Sequence, residues 1–117
     1  DYLTEFGLTL VTEEKQGQDD VTDFLAISFS TPDIIGHSVG PNAVEIEDIY
    51  IKLDKNIETI LSSLDKQVGI GQYTVFLTAD HAVADVPQYL KDQRIPAGTM
   101  SLENLKVNMA DFLNAYY

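Results

Sequence analysis

The sequence predicts an α/β fold in which one long helix joins two parallel strands, and three observations carry that prediction. Two short, mostly apolar runs, "DFLAISFS" at residues 23–30 and "YTVFLT" at residues 73–78, have the length and composition of buried strands. Between them Ile46, Ile49, Tyr50, Leu53, Ile57, Ile60, Leu61 and Leu64 recur every three or four residues, the spacing of one helix face. Strand, helix and strand in that order form a βαβ unit, whose right-handed crossover makes the two strands parallel within one sheet.

At the start of the chain, Leu3, Phe6 and Leu10 stand at helical spacing and Gly17 supplies a stop, which predicts a helix over residues 2–16; the Thr-rich "LTLVT" would also suit a strand. The run at 23–30 ends in hydroxyl residues and then Pro32, which cannot donate to a ladder and biases Thr31 towards extended geometry. The strand is therefore expected to stop there and "STPDIIGHSVGP" to follow as a loop. Asn42 and Glu45 have the spacing of a capping box for the long helix, and Glu45, Glu47 and Asp48 suit the positive end of its dipole. The glycines of "VGIGQ" at 68–72 read as a helix stop and turn, because they precede a strand and lack the third glycine of a dinucleotide fingerprint.

Beyond Asp85 the chain changes character. "VPQYLKDQRIPAG" predicts an extended connection punctuated by Pro87, Pro96 and Gly98. Ser101 then caps a last helix, with Leu102, Leu105, Met109, Phe112, Leu113 and Tyr116 expected on its buried side. Residues 1–85 are assigned to one α/β domain, and residues 86–117 to an extended connection and helix where an inserted lobe would begin.

Nineteen acidic residues against seven basic ones give a net charge of −12, which repels phosphate backbones and anionic lipid headgroups and argues against nucleic-acid binding by charge. The same excess favours cations, although a solvated acidic surface explains most such compositions without a metal. The apolar runs fall far short of the roughly 20 residues that span a bilayer. Cysteine is absent, which removes disulfides, thiolate metal sites and a cysteine nucleophile. The first residue is Asp1, with no signal-like stretch after it, so any targeting segment is expected to lie outside the chain.

Both histidines keep company with aspartates: Asp33 precedes His37 by four residues, and Asp80 directly precedes His81. Each pair follows a predicted strand. Parallel strands deliver the residues past their carboxyl ends to one sheet edge, so all four side chains are expected within a site one or two metal ions wide. Carboxylate oxygen with imidazole nitrogen suits zinc and other first-row divalent ions. The competing reading is two ordinary histidines beside aspartates that are abundant in an acidic chain. A serine-hydrolase arrangement using Ser28 or Ser30 is disfavoured, since no G-x-S-x-G elbow is present.

The stretch "FLAISFSTPDIIGHSVGPNAVEIEDIYIKLDKNIETIL", followed by "YTVFLTADHAVADVP", resembles the alkaline phosphatase superfamily, in particular the PafA-like alkaline phosphatases and their phosphodiesterase/nucleotide pyrophosphatase relatives. The D-x-x-x-H loop, the "GP" before the helix and "TADH" carry the resemblance, which is specific from about residue 23 to residue 87 and looser at both ends. It implies an α/β/α sandwich with a parallel sheet, two zinc ions at its carboxyl edge, and hydrolysis of phosphate esters through a threonine or serine that is transiently phosphorylated. On that pattern Asp33 and His37 would hold one zinc ion, and Asp80 with His81 the other. The pattern also needs an earlier metal-binding aspartate, the nucleophile and a later metal-binding histidine, none of which can be placed in this chain. The chain is thus expected to be an inactive fragment of a longer enzyme, periplasmic or secreted, and its exposed apolar edges are expected to self-associate. Phosphodiesterase, sulfatase or phosphomutase activity in the parent is an alternative, as is a non-catalytic or weakly metal-binding domain. Ala82 stands where glycine is common in these families.

Overall fold

Apolar residues at three- and four-residue spacing make most of this chain helical. A computed structural model describes residues 2–117, and the chain divides into two compact units, residues 1–84 and residues 85–117. The first unit contains α1 (Tyr2–Glu13), α2 (Thr31–Val39), α3 (Val44–Leu64) and a π-helical turn at Asp65–Gly69; the second contains α4 (Pro87–Asp92) and α5 (Leu102–Tyr116).

The helices α1 and α3 occupy segments where the sequence predicts them. Their faces are set by packing. On α1 the buried residues are Thr4, Gly7 and Val11, one position round from the expected stripe, and Phe6 is 62% exposed. Small side chains on this face admit the irregular segment beside it: a Cβ on Gly7 would stand 2.9 Å from Ile27 Cδ1. The helix therefore accepts a glycine, which weakens it, in return for close approach. On α3, Ile46 is buried and Ile49, Leu53, Ile57, Ile60, Leu61 and Leu64 are half-buried, whereas Tyr50 is mostly exposed. The expected capping box at its start does not form: Ala43 holds the N-cap position and no side chain caps there. At the other end, Thr12 Oγ1 donates to Gln67 Oε1 at 3.0 Å and the Tyr73 hydroxyl donates to Asp65 Oδ1 at 2.7 Å, tying the π turn to its surroundings. The hydrogen bond to Asp65 holds the Tyr73 phenol above its ordinary pKa, with desolvation and the carboxylate charge acting in the same direction.

The predicted parallel sheet does not form. Among the described residues there is no strand; residues 22–30 and 73–79 have no regular secondary structure and enter no ladder. A strand is defined by hydrogen bonds to a neighbouring strand, and these segments make their contacts with helical structure instead: Ile27 with α1, Tyr73 with the π turn. The alternating pattern survives only as one-sided burial, with Leu25, Ile27 and Phe29 half-buried between exposed Phe24, Ala26 and Ser28. The second run is still more open, with Phe76 and Leu77 at 85% and 77% exposure. The architecture is helical with irregular connections, and not a βαβ-containing α/β/α sandwich.

The motif "STPDIIGHSVGP" is likewise helical where a loop is predicted. Pro32 sits in the first turn of α2, where a missing N–H breaks no helical bond and the fixed φ suits the helix. The same residue type that ends one segment starts the next.

In the second unit, Ser101 caps α5 as predicted, accepting from the Asn104 N–H at 3.3 Å. No residue of α5 is buried, however, and Leu102, Met109, Phe112, Leu113 and Tyr116 are each at least half exposed. The expected extended connection carries the short helix α4, begun by Pro87 and followed by Arg94 at φ 61°. Among the described residues no helix is long and apolar enough to cross a membrane.

Val11 is 1% exposed, so Val11→Ala removes buried methyl groups and is expected to lower stability by about 2 kcal/mol. Phe112→Ala, on the exposed face of α5, is expected to change it by no more than about 0.5 kcal/mol. Urea unfolding of both variants checks the contrast.

Candidate metal centre

The four-residue spacing of Asp33 and His37 brings the two side chains together because α2 is a helix. Residues four apart share a helix face, and His37 Nε2 lies 3.2 Å from Asp33 Oδ1. Asp33 occupies the first turn, where the positive end of the helix favours a carboxylate. His81 reaches the same oxygen from the irregular segment after residue 79, with Nε2 3.3 Å from Asp33 Oδ1. The two imidazole rings stand 5.6 Å apart and are inclined at 57°. One ligand atom from each of Asp33, His37 and His81 lies within 4.8 Å of the others.

The central oxygen is unusual within an open site. Asp33, His37 and His81 side chains are 41%, 64% and 47% exposed, yet Asp33 Oδ1 is buried and accepts no hydrogen bond. A buried acceptor without a hydrogen bond is costly, and here only the two imidazoles at ion-pair distance offset that cost. A cation between this oxygen and the two nitrogens would remove that cost. The spacing fits: ligands about 2.0–2.2 Å from a tetrahedral zinc ion stand about 3.4 Å apart, close to the two separations found here.

His81 is also oriented for ligation. Its Nδ1 lies 3.0 Å from the Ala82 carbonyl oxygen, so an Nδ1–H donates there and, in the neutral ring, Nε2 is the nitrogen whose lone pair faces Asp33. A backbone carbonyl on the far nitrogen is the usual way a ligating imidazole is held in its tautomer. The Ala82 hydrogen bond is also the main reason the His81 pKa lies above its ordinary value; the charges of Asp80 and Asp33 add to it, against a smaller opposing effect of desolvation.

Asp80 is placed differently. Its side chain is 82% exposed, Oδ1 accepts from the His81 backbone N–H at 3.1 Å, and Oδ2 stands 3.8 Å from His81 Nε2. The cluster thus contains both histidines and one of the two aspartates singled out from the sequence. Beside it is an open cavity of about 190 Å³, with Pro32, Pro41, Ile46, Tyr50 and Val83 lining its walls around His81. Two contributors were not named from the sequence, the Ala82 carbonyl and Gly36. The carbonyl has no sequence signal, whereas a glycine between the two acid–base residues of a motif is visible.

The sequence profile described as type I phosphodiesterase / nucleotide pyrophosphatase matches residues 3–110. Over 102 residues the chain is 44% identical to alkaline phosphatase PhoV of Synechococcus elongatus, covering 87% of this chain and 18% of that protein. It is 38% identical over 114 residues to alkaline phosphatase PafA of Elizabethkingia meningoseptica, covering 91% of this chain and 21% of that protein. A protein of Myroides odoratus named calcium-transporting ATPase is 38% identical over 111 residues, covering 93% of this chain and 20% of that protein. The chain therefore spans about a fifth of the length of these curated relatives. No solved structure matches it.

In the metal-free chain, His81 is expected to titrate above the ordinary histidine value of about 6.5, and Asp80→Asn to lower its midpoint, both followed by the ring-proton NMR shifts against pH. The sign for stability follows: this raised pKa stabilises the fold below the unfolded value, and the contribution is lost as pH rises through the folded value. A metal held by the same nitrogen would compete with that proton, so its binding would weaken as pH falls.

Proposed function

The chain belongs to the type I phosphodiesterase / nucleotide pyrophosphatase family of the alkaline phosphatase superfamily, and from that premise we propose that Asp33, His37 and His81 hold a zinc ion in a phosphate-ester hydrolase of the alkaline phosphatase type. The observation that carries the reading is the approach of two imidazole Nε2 atoms to the buried Asp33 Oδ1, which accepts no hydrogen bond. Two imidazoles and a carboxylate form a donor set typical of catalytic zinc, with one position left for substrate or water. When bound, such an ion supplies Lewis acidity to a phosphoryl oxygen and to the attacking or leaving oxygen.

The chain's own residues then have distinct tasks. Asp33 brings the negative charge that offsets the cation, α2 keeps His37 one turn from it, and the Ala82 carbonyl keeps the His81 Nε2 lone pair free. Asp80, exposed beside His81, is the carboxylate available to a second ion on the two-zinc pattern. The threonine or serine nucleophile is assigned to the part of the relatives' length that this chain does not match. The openness of the site favours a second reading for the 117 residues alone: a weak metal-binding module without turnover, since phosphoryl transfer without a nucleophile forfeits most of its stabilisation.

Calorimetric titration of the chain with zinc is expected to show saturable binding that Asp33→Ala abolishes and Asp80→Ala retains. In the enzyme carrying the remaining sequence, hydrolysis of a chromogenic phosphate ester is expected to be lost on chelation and in His37→Ala. Undiminished turnover in the presence of chelator would refute the zinc-hydrolase reading.

A further inference from the structure

We propose that Gly36 is a positioning residue for this centre: because it has no Cβ, Val83 seats against α2, and that contact sets His81 over the Asp33–His37 pair. The inference rests on the reading of Asp33, His37 and His81 as metal ligands, and it concerns how the third of them is delivered.

Glycine is among the least favourable residues in a helix interior, yet Gly36 lies buried within α2 between the two ligands. Its backbone does not require it. The glycines with positive φ are Gly17, Gly40, Gly69 and Gly71, and Gly36 is not one of them. What requires it is the space. A Cβ at position 36 would stand 3.3 Å from Val83 Cγ2, closer than comfortable packing, with Val83 Cγ1 and Ile46 Cδ1 both at 3.8 Å. Ile46, 7% exposed on α3, bounds the site from another side. A methyl group there therefore presses first on Val83.

Val83 is two residues from His81, and the residue between them, Ala82, supplies the carbonyl that holds the His81 ring. A few tenths of an ångström at Val83 is transmitted through that short link to Nε2. Metal sites tolerate about 0.2 Å in ligand position, so the displacement matters. The residues between α2 and residue 81 otherwise leave the ligand-bearing segment exposed from residue 74 through residue 82, which makes the Val83 contact its principal seat on α2.

The test uses Gly36→Ala, Val83→Ala and the double variant, with two readouts. The first is the nuclear Overhauser effect between ring protons of His37 and His81, measured without metal; the second is zinc affinity by calorimetry. Gly36→Ala is expected to keep or increase helical circular dichroism, since alanine favours helix, while weakening the ring–ring effect and lowering zinc affinity about tenfold, the low end for changes behind a ligand. Adding Val83→Ala makes room and is expected to restore both. An unchanged ring–ring effect in Gly36→Ala would overturn the inference, as would a loss that Val83→Ala does not relieve. If the unsubstituted chain binds no zinc while the ring–ring effect still responds to Gly36→Ala and recovers in the double variant, the metal reading fails and the positioning role stands.

Discussion

The first unit depends chemically on one oxygen, Asp33 Oδ1, and on the two imidazole nitrogens held 3.2 and 3.3 Å from it. The oxygen is buried without a hydrogen bond, in a site whose side chains are otherwise open to water. Folding such a group is unfavourable unless something else is gained. The three donor atoms converge from two separate parts of the chain, one a helix and one an irregular segment, so the arrangement is a tertiary product and not a local accident of sequence. Each part has its own support: α2 through its helical register, His81 through Val83 and the Ala82 carbonyl.

Electrostatics favours the same interpretation at two scales. Over the whole chain the net charge of −12 draws cations towards the surface. At the centre, one carboxylate stands between two imidazoles, a donor set that would suit a divalent ion without surrounding it by carboxylates. The site is open on the His37 side, and a cavity lies against His81.

The sequence made the helices legible and the sheet misleading. The stripe from Ile46 to Leu64 led correctly to α3, and Ser101 correctly marked the start of α5. The runs at 23–30 and 73–78 have strand composition, but composition states only a preference; a strand also needs a partner at hydrogen-bonding distance, and among the described residues neither run has one. The helix α2 was hidden by Pro32, Gly36 and Gly40, which read as loop residues although proline suits a first turn and Gly36 answers a tertiary contact. The convergence of both histidines with Asp33 was legible in the sequence, from their proximity to aspartates. Which carboxylate faces both rings was not legible, because it depends on how residues 79–83 approach α2. On α1 the buried face lies one position round from the expected stripe for a related reason, since Gly7 admits Ile27 closely and Thr4 and Val11 are buried on the same face.

Membership of the phosphodiesterase family is established by a match across residues 3–110, while the chain spans about a fifth of its curated relatives' length. We propose that within this segment Asp33, His37 and His81 form one metal centre. X-ray absorption at the zinc edge on the zinc-loaded chain tests it most directly. The account predicts a first shell of two imidazole nitrogens and carboxylate oxygen at about 2.0–2.2 Å, with the outer-shell scattering of two imidazole rings. A shell of oxygen atoms alone, without imidazole scattering, would contradict it.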